Sequence, residues 1–229
     1  LLHSAGQDPS FMIGGILNNF SGNYRLGAGR TFVVEGDEYD TAYFDKGPKF
    51  LHYQPRVAIV TGVEFDHADI FRDLDHVKHA FRQFLERMAP ESQLLVYDAD
   101  PNLADLLSQA PACPVARYGR DDRSAWRLGN VRLRDALTAF DVHYGDEPFG
   151  TFQTPMIGVH NLLNALAALA AAHYAGVAAS DLAAGLAGFR GVKRRQEVRG
   201  VKNGVTVIDD FAHHPTAVRE TVRAIREFY

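Results

Sequence analysis

The sequence predicts an α/β fold: a mostly parallel sheet flanked by helices, extended by an antiparallel hairpin, and followed by the start of a second α/β unit. Three observations carry this reading. Short β-branched runs alternate with longer stretches of helical period. Two of those runs end in acidic clusters, where strand ends would face a ligand crevice. A basic, glycine-containing segment then separates an alanine-rich helical zone from a fresh pair of strands.

Taken in order, residues 1–6 read like the end of a helix entering a loop, without the basic and apolar regions of a signal peptide. Thr31-Phe32-Val33-Val34 and Val57-Ala58-Ile59-Val60-Thr61 read as short, buried, neighbouring parallel strands. Residues 75–88 place Val77, Phe81, Phe84, Leu85 and Met88 on one helical face. Residues 93–97 form the next strand, and 102–109 a short helix stopped by Pro111. Residues 137–144 alternate in polarity, Gly145-Asp146 supplies a turn, and 149–152 return as a hairpin. Residues 160–175 form an alanine-rich helix ended by Gly176, and Ser180 caps a further helix over 181–189. The basic run Arg190-Gly191-Val192-Lys193-Arg194-Arg195 marks a boundary between 1–190 and 191–229. Strands over 197–201 and 205–209 then lead to a helix over 215–228, with Pro215 at its first position. So short a segment buries no core of its own, and it reads as the opening of a second domain.

Composition narrows the function classes. A chain of 229 residues, 46% of them hydrophobic, can bury a sizeable core. A net charge of −4 argues against bulk-charge binding to nucleic acid or a membrane surface. Cys113 is the one cysteine, which excludes a disulfide framework and suits a reducing, cytoplasmic setting. No apolar run approaches the ~20 residues of a spanning helix.

The chemistry concentrates in five places. Glu35-Gly36-Asp37-Glu38-Tyr39-Asp40 and Glu64-Phe65-Asp66-His67-Ala68-Asp69 supply hard oxygen ligands and one imidazole at two strand ends. Mg²⁺ is usually held by one or two carboxylates plus substrate phosphates, and Glu35 is the best placed for it. His67 suits Mn²⁺ or a second metal position. Solvated acidic strand ends are the alternative for either stretch alone; the two together favour a metal site. Asn161 and Asn164 share a face at a helix N-terminus, where carboxamides can either meet a purine or cap the helix. Arg194-Arg195-Gln196-Glu197 reads as a phosphate clamp or as a salt-bridged hinge. Asp209-Asp210-Phe211-Ala212-His213-His214-Pro215 joins a strand to a helix, at a ligand-facing position where paired histidines more often cap than catalyse. A nucleophilic triad finds no support, because no Gly-x-Ser-x-Gly elbow occurs.

These motifs, in this order and with Gly158-Val159-His160-Asn161-Leu162-Leu163-Asn164-Ala165 between them, resemble the Mur ligases, the ATP-dependent amide-forming enzymes of the bacterial cell wall. The resemblance implies the family's central ATP-binding domain and the first strands and helix of its C-terminal domain. It implies Mg²⁺ at Glu35 and a second Mg²⁺ at His67. His160, Asn161 and Asn164 would meet adenine, Arg195 the phosphates and Asp210 the ribose. His213 and His214 would lie near the reacting phosphate. The implied reaction, in peptidoglycan recycling, joins UDP-N-acetylmuramate to L-Ala-γ-D-Glu-meso-diaminopimelate through an acyl phosphate. The runner-up is L-alanine addition to the same acceptor. Outside the family, a metal-dependent phosphohydrolase and a non-catalytic nucleotide-binding module remain as rivals. The chain departs from the family in holding no Gly-x-x-Gly-Lys-[Ser/Thr] phosphate loop. Gly36 and Thr61-Gly62-Val63 also stand where an alanine and an asparagine-rich stretch are expected. The UDP-binding N-terminal domain and most of the C-terminal domain are missing as well, so the 229 residues by themselves are expected to be inactive.

Overall fold

The computed structural model describes residues 1–109, 111–134 and 137–229. After a series of turns come β1 (Ser10–Leu17), β2 (Gly22–Arg25) and β3 (Phe32–Val34), a sheet in the order β2-β1-β3. β2 runs antiparallel and β3 parallel to β1. The loop before β3 crosses the opening turns so closely that a Cβ on Gly29 would lie 1.9 Å from the Gln7 carbonyl oxygen. A small hairpin follows, β4 (Asp40–Ala42) with β5 (Asp45–Pro48).

The main layer is built next. In chain order it comprises β6 (Val57–Val60), α1 (Leu74–Glu86), β7 (Gln93–Tyr97), α2 (Pro101–Leu106), β8 (Val115–Gly119), β9 (Trp126–Arg134), β10 (Leu137–Tyr144) and β11 (Glu147–Thr154). They form one sheet in the order β11-β10-β9-β8-β7-β6. Strands β6 to β9 are parallel, and the β10–β11 hairpin adds the antiparallel extension. β7 shows why the parallel part is apolar throughout. Leu94 and Val96 face the cluster made with Val77, Phe84, Leu103 and Leu106. Leu95 faces the opposite cluster, which includes Leu162, Leu166 and Leu169. Both faces are covered, so alternation is lost.

The second face is covered by α3 (Val159–Tyr174) and α4 (Ala179–Ala187). Gly176, at φ +86°, ends α3 as its sequence predicts. Ser180 does not cap α4: the cap is Ala178, and Ser180 lies in the first turn with its Oγ 3.3 Å from Asp181. Val177 is buried in the core just ahead, and this anchor starts the helix earlier than the cap signal does. The chain closes with β12 (Glu197–Lys202), β13 (Val205–Asp209) and α5 (Pro215–Phe228). β12 and β13 pair antiparallel, and Pro215 opens α5 behind His214 as N-cap.

A second expectation fails. β3 and β6 are parallel strands, but they are not neighbours in one sheet, and β3 is not buried: Phe32 is 61% exposed and Val33 41%. A three-residue strand pairs with β1 alone among the described residues. The linker supplies a further contact to β1. Lys193 N–H donates to the Ile16 carbonyl at 2.9 Å, Asn18 N–H to that of Gly191 at 3.1 Å, and Val192 bridges to Leu17. Gly15 makes room, since a Cβ there would lie 2.5 Å from Val192 Cγ1.

Candidate active site

The two acidic stretches meet although their strands lie in different sheets. Glu38 Oε1 lies 3.4 Å from His67 Nε2, and the Tyr39 hydroxyl donates to Asp69 at 2.5 Å. His67 takes a left-handed φ of +53°. A non-glycine residue in that region costs on the order of 1 kcal/mol. Asp66 offsets it by accepting the His67 N–H at 2.7 Å, and the His67 carbonyl accepts from Ile70 and Phe71. Glu35 behaves differently: its carboxylate accepts the Gly14 N–H at 2.6 Å, so it is tied to β1. Between the loops lies a cavity of about 240 Å³, walled by Gly36, Glu38, Thr61, Glu64, Val77 and Phe84.

No group of three or more His, Cys, Asp or Glu residues gathers into a metal-sized cluster among the described residues. The carboxylates of Glu35, Glu38 and Glu64 are the hard oxygen donors of which Mg²⁺ commonly takes one or two from protein, with the remainder from phosphate and water.

The N-terminus of α3 forms the second part. Gly158 enters it at φ +87°. Asn161, 8% exposed, donates from Nδ2 to the Ile157 carbonyl at 2.8 Å and to Gln196 Oε1 at 3.0 Å. Gln196 Nε2 lies 3.4 Å from His160 Nε2. Burial pushes the His160 imidazole below its ordinary value. The Gln196 N–H donates to Asp210 Oδ2 at 2.8 Å, while Asp210 Oδ1 accepts from Ala212 at 2.7 Å. Asn164, one turn further along α3, is exposed. Arg195 is exposed too, and its guanidinium lies 5.9 Å from the Phe211 ring centre. Arg194 covers the same ring at 4.7 Å and sits 3.7 Å from Asp209, an ion pair within residues 191–229.

The third part joins the two units. His214 Nδ1 lies 2.9 Å from Glu64 Oε2, close enough to donate a proton there; the Thr216 N–H approaches the same nitrogen at only 3.4 Å and is the weaker contact. The Thr216 hydroxyl donates to Glu64 Oε1 at 3.0 Å. His213 Nε2 is 3.9 Å from Asp66. The geometry therefore draws His160, Asn161 and Asp210 together through Gln196, and His213 and His214 onto the second acidic stretch. It leaves Asn164 and Arg195 on the surface and turns Glu35 toward β1. Sequence reasoning missed the parts played by Gln196, Glu38 and Glu64. The signal for Glu38 and Glu64 was their place inside the acidic stretches; for Gln196, only its place beside the arginine pair.

Comparison with known proteins places the chain in a family. Residues 28–172 match the Mur ligase middle domain, and residues 194–229 match the Mur ligase glutamate ligase domain. The UDP-N-acetylmuramate–L-alanyl-γ-D-glutamyl-meso-2,6-diaminoheptandioate ligase of Escherichia coli is 39% identical over 226 residues, which is 99% of this chain and 49% of that protein. The UDP-N-acetylmuramate–L-alanine ligase of Pelotomaculum thermopropionicum is 38% identical over 226 residues, 98% of this chain and 47% of that protein. A solved murein peptide ligase from Psychrobacter arcticus superposes with a TM-score of 0.77 at 34% identity, covering 99% of this chain and 50% of that one. The chain thus spans about half the length of the curated relatives it matches.

Proposed function

The chain belongs to the Mur ligase family, and we propose that it supplies the nucleotide-binding core and the opening of the C-terminal domain of an ATP-dependent carboxylate–amine ligase of cell-wall recycling, working in the cytoplasm. The boundary between the two parts is placed at residue 190. The acceptor is UDP-N-acetylmuramate and the amine donor L-Ala-γ-D-Glu-meso-diaminopimelate. One observation carries the reading: residues far apart in sequence, His160, Asn161, Gln196 and Asp210, converge at one helix N-terminus beside loops rich in carboxylates.

In this reading the muramate carboxylate takes the γ-phosphoryl group of ATP, and the peptide amine then displaces phosphate. Two anions must approach, so the need is charge neutralisation rather than a nucleophilic side chain. Glu35 and His67 would hold Mg²⁺, which supplies that neutralisation when bound. Asn161 and Asn164 would read adenine with His160 beside them, Asp210 would meet the ribose, and Arg195 would turn in from the surface to the phosphates. His213 and His214 would border the reacting phosphate, with His214 held by Glu64. The sequence holds no Gly-x-x-Gly-Lys-[Ser/Thr], the loop whose backbone cradles phosphates, so the 229 residues alone are expected not to ligate.

Calorimetric titration with MgADP tests this. Binding that weakens on Glu35→Ala and on His67→Ala supports the reading; binding indifferent to both points to a non-catalytic nucleotide module. Absence of binding, hydrolysis of a generic phosphate ester with Mn²⁺, or muramoyl-peptide formation by this chain alone would each overturn part of it. The Pelotomaculum relative, almost as similar, favours L-alanine as a second reading for the amine; competition between the two amines in the complete ligase separates them.

A further inference from the structure

Asn161 is 8% exposed and sits at the mouth of α3, so every hydrogen-bonding valence of its carboxamide matters. The Ile157 carbonyl can only accept, which fixes Nδ2 on that side at 2.8 Å. The second Nδ2 proton goes to Gln196 Oε1 at 3.0 Å. Both donors are then used, and what Asn161 has left to offer is its acceptor, Oδ1. Gln196 is itself fixed from two directions. Its Nε2 faces His160 Nε2 at 3.4 Å, and its backbone N–H is held by Asp210 at 2.8 Å. It also holds a left-handed φ of +48°, a conformation kept only where surrounding bonds outweigh its cost.

We infer that Gln196 is the positioning and specificity-determining residue of the base site: it consumes the spare donor of Asn161, so that the site presents an acceptor and selects a purine with an amine at C6 over one with a carbonyl there. This rests on the reading of His160 and Asn161 as the base-contacting pair. Adenine places an amine where guanine places a carbonyl oxygen. An acceptor facing guanine would leave two acceptors opposed, and unpaired buried polar groups are the strongest source of discrimination that a site can build. The same residue ties this selectivity to the linker, because its backbone holds Asp210, the group proposed for the ribose.

The test compares MgADP with MgGDP by titration calorimetry on the full 229-residue chain and on Gln196→Leu and Gln196→Glu. Leucine keeps the volume and the backbone bond to Asp210 but frees the second Nδ2 proton. Glutamate keeps an acceptor for Asn161. The chain is expected to prefer ADP, and Gln196→Leu to narrow that preference about tenfold, the size of one hydrogen bond. Gln196→Glu is expected to weaken binding of both nucleotides while retaining the preference. Equal loss of both nucleotides in Gln196→Leu, with its thermal melt unchanged, would overturn this role and leave the nucleotide site standing. A Gln196→Glu variant that loses the preference overturns it too. If the unsubstituted chain binds neither nucleotide, or both alike, the site reading itself fails, and this role with it.

Discussion

Replacing Gly158 by alanine probes the seam between the two units. Gly158 sits at φ +87° and ψ 144°, a region that residues with a side chain avoid. Forcing alanine into it costs about 1–3 kcal/mol. The new methyl would also lie 2.4 Å from the Ala224 methyl on α5 and 2.9 Å from His160 Cε1. Ala224 is 2% exposed, so α5 has little space to retreat without leaving its seat. Overpacking of this kind costs a further ~1–3 kcal/mol. The sum, roughly 2–6 kcal/mol, is a large part of the ~5–15 kcal/mol that holds a typical domain. Ala224→Gly removes one of the colliding methyls at a cost of ~1 kcal/mol in helix propensity. The double variant should then recover the overpacking part and keep the backbone part, giving a coupling of ~1–3 kcal/mol. Urea unfolding of the four proteins measures that coupling, and amide exchange over residues 215–228 shows whether α5 has been displaced. If the two single effects simply add, the methyls do not meet, and the seating of Ala224 against Gly158 is wrong.

Further expectations concern pH and the contacts between units. His160 has its proton affinity lowered by burial, so above the ordinary value of 6.5 it adds no penalty. As pH falls below 6.5 the unfolded chain takes the proton first and stability declines, until pH passes the lowered native value. His160→Gln should flatten that step in urea midpoints measured against pH. The Asp141 carboxyl is pulled down to about 2 by the Arg132 guanidinium and the Thr151 hydroxyl. Its contribution is therefore complete above the ordinary 3.8 and is lost as pH falls toward 2; Asp141→Asn should remove that acid step, and an unaltered acid profile would refute the cross-strand pairing. Glu64→Ala releases His214 and Thr216. These groups are partly solvated, so the unfolding free energy should fall by no more than about 1 kcal/mol. Exchange at the first turn of α5 should nevertheless quicken, and unchanged exchange there would argue against the Glu64 contact.

Much of the fold was legible because local chemistry and tertiary context agree. The continuous apolar run of β7, the turn at Gly145-Asp146 and Pro215 behind His214 each specify one outcome. Legibility ended where partners lie far apart. A three-residue strand such as β3 carries no record of which sheet it joins, and its pairing with β1 is decided by contacts some twenty residues away. Ser180 had the right chemistry for a cap and lost to the packing of Val177. The acidic stretches could be read as a site from residue types alone, but not the turning of Glu35 toward Gly14. Gln196 was least visible: its role arises from a left-handed backbone and three partners drawn from two other segments.

The crossing of the linker over β1 has a mechanical consequence. Val192 rests where Gly15 lacks a side chain, and the adjacent Gly14 N–H holds the Glu35 carboxylate. A swing of residues 197–229 about the linker must therefore push or pull on the strand that restrains Glu35. The linker that leads to residues 197–229 and the tether that holds the Glu35 carboxylate meet at two consecutive glycines, so releasing one disturbs the other.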